Sequence, residues 1–354
     1  HRMDLSDHLQ RLVVAQLGRG QVQETVLCVA RDNELWCAAA GFWAGVPVTV
    51  DTPYFVASTS KLLATAMILR LRAERRLSLD DPVAGFFPEG LLAGLHRWRG
   101  QDLTGQITLR HLLSHRSGLP DYFEGRRRDG SRFVDGLLAG RDVSYGLPEV
   151  LGWTRDEMQP HFPPGEGRRA LYADTNFYLL GEVVSRVCGT SLDEALKCLI
   201  TAPLGLHATQ FYVPGVSALP LRHGAAVLEV PKAMSCMPVD GGAVSTARDM
   251  QVFTQAFFGG GLFPRGELAE LKDWCRIFFP LQSGVGLLRF RLPRVLSPWR
   301  APPELLGHSG ISGAFAYRCP EMNVTLTGTV NQIAGRGRPY RLMLQALELV
   351  RRCG

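Results

Sequence analysis

The chain has 354 residues, of which 46% are hydrophobic and 20% are charged, the balance of an ordinary globular protein with a sizeable core. Its formal net charge is +6, but the basic residues are dispersed, and the densest cluster, Arg126–Arg128 with Arg132, has the Gly and Asp neighbours of a solvated loop, so no nucleic-acid partner is expected. No run approaches the roughly 18 apolar residues of a membrane-spanning helix, so no membrane partner is expected either.

Hydrophobic periodicity divides the chain into a first sheet segment, a helical middle and a second sheet segment. Residues 4–18 have the spacing of an amphipathic helix, and residues 22–30 and 34–41 read as two strands joined by the turn-favouring pair Asp32-Asn33. Helical patterns dominate from Ser58 to about residue 215, and strand-like runs return from about residue 220. The clearest later elements are predicted at 64–75 and 178–187 (helices), 287–292, 314–318 and 324–330 (strands) and 340–351 (helix).

The eight cysteines contain no C-x-x-C pair, which removes the usual zinc and thioredoxin signatures. Cys28 and Cys37 could oppose each other across the first hairpin, so one disulfide stays open, although a reduced compartment is the simpler expectation. The first residues, His1 to Asp4, lack an apolar signal core. If Met3 is the native start, we expect a cytoplasmic protein; if a leader has been removed, we expect an exported one.

The most informative stretch is Ser58-Thr59-Ser60-Lys61, between a β-like run at 54–57 and a helix-like run at 62–69. Residues three apart share one face of a helix, so Lys61 can reach the Ser58 hydroxyl. A serine needs such an activator to act as a nucleophile, and arginine could not serve as its base because it does not lose its proton in proteins. The alternative is that Ser58 only caps a helix and Lys61 lies on its solvated face.

Two polar triplets follow in the chain. Tyr172-Ala173-Asp174 comes after the turn-like residues 162–165, and His308-Ser309-Gly310 precedes the strand-like residues 314–317. With S-x-x-K, these triplets resemble the three signature elements of the penicillin-recognising serine enzymes. The chain is most similar to the class C β-lactamase branch, with its DD-peptidase, D-aminopeptidase and family VIII carboxylesterase relatives. Further family landmarks are found at 52–55, 79–83, 112–120 and 241–249.

The resemblance implies an α/β (α+β) fold in which an antiparallel sheet is flanked by the terminal helices and carries an inserted all-helical domain. We therefore predict a discontinuous α/β domain at 1–62 and 217–354, a helical domain at 63–216, and an active site in the cleft between them.

It also implies a catalytic set of Ser58, Lys61 and Tyr172. Ser58 would be acylated, and Tyr172, with a phenol pKa lowered by the Lys61 ammonium, would carry the proton from the serine to the leaving group. The backbone N–H groups of Ser58 and Ile311 would form the oxyanion hole. The expected substrate-binding residues are Asp174, His308, Ser309 and Gly310. No cofactor and no metal are expected.

Two residues depart from the strictest family pattern. Asp174 stands where many relatives have Asn, and its carboxylate would hold Lys61 charged. His308 replaces a lysine, so a substrate carboxylate is expected to bind more tightly as the pH falls towards about 6 and the imidazole gains a proton. Both departures suit peptidase and esterase members better than dedicated β-lactamases.

The expected partner is a small-molecule or peptide acyl donor, its identity depending on loops such as 122–150 and 275–303; the oligomeric state is not set by the sequence. Transfer of the acyl group to an amine or alcohol is an open alternative, because hydrolysis and transfer share one acylation step. A non-catalytic binding or scaffold module is a further alternative. His111 and His115 have metal-compatible spacing but no Glu between them in an H-E-x-x-H motif, so a structural role is favoured.

Overall fold

A computed structural model describes residues 4–296, 300 and 302–353. Met3, the possible native start, lies outside the described residues. So do residues 297–299 and 301 of the predicted loop 275–303. The strands are β1 (Thr25–Arg31), β2 (Glu34–Ala40), β3 (Phe42–Trp43), β4 (Val46–Pro47), β5 (Tyr54–Phe55), β6 (Arg97–Trp98), β7 (Gln101–Asp102), β8 (Gln210–Phe211), β9 (Leu221–His223), β10 (Ala226–Leu228), β11 (Ala243–Ser245), β12 (Cys275–Phe278), β13 (Leu281–Ser283), β14 (Leu288–Phe290), β15 (Leu305–Ser309), β16 (Ala314–Cys319) and β17 (Val324–Thr329).

Helices surround these strands, and most of them lie between β5 and β11. The α-helices are α1 (Leu5–Val14), α2 (Ser60–Ala73), α3 (Leu109–Leu113), α4 (Phe133–Leu138), α5 (Leu147–Asp156), α6 (Asp174–Cys188), α7 (Leu192–Leu196), α8 (Ala202–Leu204), α9 (Pro231–Met234), α10 (Pro238–Gly241), α11 (Ala247–Gly259), α12 (Leu268–Leu271) and α13 (Arg338–Cys353). None of the described helices is long and apolar enough to cross a membrane.

One eight-stranded sheet joins the two ends of the chain, in the order β12-β13-β14-β15-β16-β17-β1-β2. All neighbouring strands are antiparallel, and β1 pairs with β17 through Cys28 opposite Thr327. Because β1 lies inside the sheet and is covered on both faces, all but its last residue are buried. The sheet therefore cannot form until the first 40 residues meet the last 80 or so, which is what an insertion between them requires.

The two faces of the sheet carry different helices. On one face, Leu9 of α1 and Leu347 of α13 pack with Leu27 and Phe315. On the other face, Val26 and Ala316 pack with helices α2 and α11, for example through Phe253. The alternation of Val26 and Leu27 between two cores follows from the two-residue period of a strand.

The structure confirms the expected fold class, a large antiparallel sheet with flanking helices. The hairpin predicted around Asp32-Asn33 joins β1 and β2, and Asp32 takes the positive φ of +53° that a tight turn needs. The helical middle also contains the short hairpin β6–β7, as well as β8, which pairs with β11. The segment expected to be a loop from residue 275 instead begins with β12, at the edge of the large sheet, and β13, whereas β14 lies within the strand predicted at 287–292.

Cys28 and Cys37 are directly opposite each other in β1 and β2, as the sequence suggested. Their Sγ atoms are 3.2 Å apart, and both residues are free thiols in the structure.

Candidate active site

Ser58 lies at the junction between the three-stranded sheet β5-β11-β8 and the largely buried helix α2. Strand β5 leads into a 3₁₀ turn, Ala57–Thr59, and α2 begins at Ser60, so Ser58 lies in the turn that precedes the helix. Ala57 has a φ of +47°, a left-handed conformation that is strained for a residue with a side chain. The strain sits directly before Ser58 and fixes the direction in which its side chain enters the cleft.

Lys61 is completely buried, and all three of its ammonium donors are used. Its Nζ is 3.0 Å from Ser58 Oγ, 2.8 Å from Asp174 Oδ1 and 2.6 Å from the backbone oxygen of Asp240. Burial lowers the pKa of Lys61, but Asp174, Tyr172 and Asp240 outweigh it, so the pKa lies above its usual value. Burial raises the pKa of Asp174, and the ion pair with Lys61 opposes this rise. We assign Asp174 as a carboxylate, because a buried ammonium without a counter-ion is costly.

Tyr172 lies just before α6 and faces the same space. The Lys61 ammonium is 4.9 Å from the centre of its ring, and the ring of His115 packs against it at 4.6 Å. The expectation of a lowered phenol pKa is wrong. Burial raises the pKa of Tyr172 to about 12, although Lys61 and hydrogen bonding to Ser58 act in the opposite direction. The phenol is therefore protonated at neutral pH.

His308 forms the opposite wall from the end of β15. It is 2% exposed, and its Nδ1 donates to the backbone oxygen of Ser309 at 2.7 Å, which leaves Nε2 as an acceptor. Burial, followed by the charge of Lys61, lowers the pKa of His308 to about 3. The expected gain of a proton near pH 6 is thus contradicted, because an imidazole so placed stays neutral there.

The turn after His308 packs tightly on the nucleophile. A Cβ on Gly310 would lie 2.6 Å from the backbone oxygen of Val56 and 3.0 Å from the backbone nitrogen of Ser58, so only glycine fits. Ser312 Oγ donates to the Phe55 oxygen at 2.9 Å and fastens the turn to β5. Ser58 and Ile311 consequently line one cavity, the placement that the predicted oxyanion hole needs.

The cavity has a volume of about 430 Å³ and is lined by all the predicted site residues except Lys61, which is buried behind Ser58 and Asp174. Phe278 of β12 stands against Tyr172 with ring centres 5.9 Å apart and is half exposed. At the mouth, Arg336 Nη2 donates to Glu124 Oε1 at 2.8 Å. Ser309 Oγ is 2.5 Å from the hydroxyl of Tyr340, so its hydroxyl is tied to α13.

Sequence reasoning missed two buried acids close to Lys61. Asp121 accepts hydrogen bonds from the backbone N–H groups of Phe123, Glu124 and Asp174. Asp240 lies in α10, and its Oδ2 is hydrogen-bonded to the hydroxyl of Tyr122. Neither acid belongs to a recognisable local motif with Lys61, and the fold brings them together from separations of 60 residues or more along the chain.

The two histidines with metal-compatible spacing have other partners. His111 Nδ1 accepts from the Thr108 N–H at 3.1 Å and closes a helix cap. His115 Nδ1 accepts from the Ala173 N–H at 3.1 Å. This hydrogen bond holds the backbone directly after Tyr172. Among the described residues, no group of three or more His, Cys, Asp or Glu side chains could hold a metal ion.

Comparisons with known proteins show which family and which proteins the chain is similar to. The Beta-lactamase family matches residues 9–349. Esterase EstB of Burkholderia gladioli is 35% identical over 208 residues, covering 56% of this chain and 48% of EstB. Monacolin J acid methylbutanoyltransferase of Aspergillus terreus is 31% identical over 168 residues, covering 45% and 38%. The matched stretches thus span less than half of these curated relatives.

A solved structure agrees over a longer range. The D-stereospecific amidohydrolase from a Streptomyces species has a TM-score of 0.74 and 28% identity, covering 94% of this chain and 96% of its own. The resemblance inferred from the three motifs is confirmed by these matches. The roles of the individual site residues stay predictions.

Proposed function

Because the chain belongs to the beta-lactamase family, we propose that it is a serine hydrolase that forms an acyl-enzyme on Ser58 from an ester or an amide. The observation that carries the proposal is the coordination of Lys61. Its buried ammonium contacts the Ser58 hydroxyl at 3.0 Å and is held by Asp174 on the other side. A helix cap with a solvated lysine, or a scaffold module, would not need a buried ammonium aimed at a serine.

Acylation starts with attack of Ser58 Oγ on the carbonyl carbon, and the bond to the leaving group breaks. Since the pKa of Tyr172 is raised to about 12, the phenol acts as a proton shuttle. Its oxygen accepts the serine proton while its own proton passes to the leaving oxygen or nitrogen. The Lys61 ammonium stabilises the negative charge that develops on both oxygens, and the Ser58 and Ile311 N–H groups stabilise the charge on the substrate oxygen.

Deacylation repeats these transfers with water. The water attacks the ester carbon and gives its proton to the Tyr172 phenol, whose own proton returns to Ser58 Oγ. The acid leaves, and the enzyme regains its starting protonation.

The charges of the cleft support neutral donors. His308 is neutral, and Arg336 is engaged by Glu124. Within the described residues, the cavity therefore presents no unpaired cation to a substrate carboxylate. Esters and amides without a carboxylate, such as D-amino-acid amides, fit this wall better than donors that need a fixed positive charge.

Acyl transfer is the second candidate. It is supported by the similarity to a methylbutanoyltransferase and by a cavity of about 430 Å³, which has room for an acceptor beside the acyl-enzyme. Adding amine or alcohol acceptors at constant donor and measuring the ratio of transfer product to free acid separates the two. A ratio that stays at zero for all acceptors supports hydrolysis.

The nucleophile is tested by intact-mass measurement and peptide mapping after incubation with an activated ester, a D-amino-acid amide and a β-lactam. We expect an adduct on Ser58 and a loss of about 10⁴-fold in kcat for Ser58→Ala, with Ser235→Ala as the control at a non-site serine. An adduct on another residue, or a fully active Ser58→Ala, would end the proposal.

A further inference from the structure

Three buried carboxyl groups and one buried ammonium form a cluster, in which Asp174 pairs with Lys61 and Asp121 accepts from the Asp174 N–H. Asp174, Asp121 and Asp240 are 4%, 7% and 0% exposed, and Lys61 is the cation of the cluster. If all three acids were ionised, the cluster would carry two uncompensated negative charges in a region that water does not reach. Such a state is too costly to persist, and the cluster is neutral only when two of the acids keep a proton.

Asp121 and Asp240 are the two acids that keep a proton, because burial, followed by the charge of Asp174, also raises the pKa of Asp121, to about 8. Their hydrogen bonds differ. Asp174 is paired with Lys61, and the two oxygens of Asp121 accept from three backbone N–H groups. Asp240 has much less support: Oδ2 contacts the Tyr122 hydroxyl, and Oδ1 is buried and has no partner among the described residues. An unsatisfied oxygen costs less on a neutral acid than on a carboxylate.

Tyr122 and Tyr145 suit a group that changes its protonation. Their hydroxyl oxygens are 2.9 Å apart, so they continue the contact made by Asp240 Oδ2. In the acid form, Oδ2 donates to Tyr122, which donates to Tyr145. In the ionised form, both phenols reverse and donate towards the carboxylate. The chain can therefore serve either state without a movement of heavy atoms.

Asp240 is also joined to the reactive end of the cleft. Its backbone oxygen accepts from Lys61 Nζ at 2.6 Å, in the same contact set that reaches Ser58. A negative charge on its side chain would cancel part of the Lys61 field. Ser58 Oγ and the Tyr172 oxygen would then lose stabilisation in the transition state.

We propose that Asp240 is a positioning residue that stays protonated in the active enzyme, leaves the Lys61–Asp174 pair electrically balanced, and limits acylation at alkaline pH when it ionises. The proposal rests on the proposed function. Burial, followed by the charge of Asp174, raises the pKa of Asp240 to about 7, whereas Lys61 lowers it. The titratable groups facing it are Lys61 of α2, Asp174, Tyr178 and Glu182 of α6, and Tyr122 and Tyr145 of the adjoining loops.

The first experiment measures kcat/KM for a neutral p-nitrophenyl ester between about pH 5 and pH 10 in the wild type, Asp240→Asn and the exposed control Asp51→Asn. We expect wild-type activity to fall about tenfold as Asp240 ionises. A fall of this size corresponds to a loss of transition-state stabilisation equal to one pKa unit. Asp240→Asn should match the wild type within about threefold near pH 5.5 and keep that activity at least one pH unit further. Asp51→Asn should follow the wild type.

Two results would overturn the proposal: a profile of Asp240→Asn that superimposes on the wild type, or a folded Asp240→Asn that is inactive at every pH. A second measurement covers the case in which the variant does not fold. Infrared difference spectra of Asp121→Asn between acid and alkaline pH should still show loss of a protonated-carboxyl C=O band with a midpoint near 7, because Asp240 is the acid with a raised pKa that remains beside the Lys61–Asp174 pair. Absence of the band contradicts the proposal even if Ser58 is acylated, whereas absence of acylation with the band present defeats only the proposed function.

Discussion

Lys61 and His308 are two basic side chains at one cleft, and they are buried to nearly the same extent. Lys61 is 0% exposed and His308 is 2% exposed, yet the pKa of the lysine is raised and that of the histidine falls to about 3. The difference lies in their partners. Lys61 has the carboxylate of Asp174 at 2.8 Å, whereas His308 has a backbone oxygen and feels the positive charge of Lys61. Burial makes a charge on either side chain unfavourable, and a nearby counter-ion determines whether the charged form is nevertheless the stable one.

Removing the charged base should have the largest effect. In Lys61→Met the ammonium is lost and Asp174 remains as a buried acid without its partner. We expect kcat for a neutral ester to fall by roughly 10³-fold or more, since the stabilising charge in the transition state is gone. Steady-state kinetics at saturating donor measures this, with the exposed lysine variant Lys197→Met as the control.

The double variant Lys61→Met/Asp174→Asn sharpens the same point. Loss of one partner of a buried pair costs about 3–5 kcal/mol of unfolding free energy, and loss of both costs less. Denaturant unfolding should therefore find the double variant more stable than Lys61→Met, although equally inactive. Equal stability of the two variants would show that Asp174 does not serve as the counter-ion.

Tyr172→Phe tests the phenol hydroxyl that lies near both Lys61 and His308. The ring and its packing on His115 remain, but the hydroxyl that moves the proton is lost. We expect a fall of at least about 10²-fold in kcat/KM with an unchanged melting temperature. Tyr212→Phe, outside the cavity, is the matched control. Turnover at the wild-type rate would assign the proton transfer to Lys61 instead.

His308→Lys converts the neutral wall into one that can hold a charge. We expect KM for carboxylate-bearing donors to improve by up to about tenfold relative to neutral donors of the same shape. In the wild type, KM for both donor types should stay constant between about pH 7.5 and pH 6, because His308 does not gain a proton in that range. Equal effects of the substitution on anionic and neutral donors would mean that His308 only shapes the cleft.

The smallest effect concerns stability. The pKa of His308 is lower in the folded state, about 3, than the value of about 6.5 expected when unfolded, so between these values the unfolded chain binds more protons. Stability should fall as the pH is lowered from about 6.5, by at most about 1.4 kcal/mol per pH unit from this group. Chemical unfolding of wild type and His308→Gln between about pH 6.5 and pH 4.5 should show a shallower slope in the variant. Identical slopes would contradict a neutral buried imidazole.

Local spacing predicted the part of the site that depends on one helical turn. Ser58 and Lys61 are three residues apart, and their contact follows from the periodicity of the turn that holds them. Tyr172 and His308 could be found only through motif resemblance, because no spacing rule links residues more than 100 positions apart. Asp240 belongs to none of these motifs, and His115 was noticed only for its spacing from His111 and as part of the landmark at 112–120, not for its contact with Tyr172. The fold class followed from the order of strands and helices, whereas the directions of the pKa shifts depend on burial, which sequence does not reveal.

The Glu124–Arg336 ion pair makes ionic strength a variable of substrate entry. Its two side chains are 37% and 64% exposed, so water and salt reach both charges. Dissolved salt weakens exposed ion pairs of this kind. The pair lines the mouth of the cavity, and its strength therefore affects how easily a bulky donor passes while the buried Lys61–Asp174 pair stays unscreened. Assays of large donors in dilute and concentrated buffer would therefore compare a cavity mouth with a stronger and a weaker Glu124–Arg336 pair, while the catalytic residues stay the same.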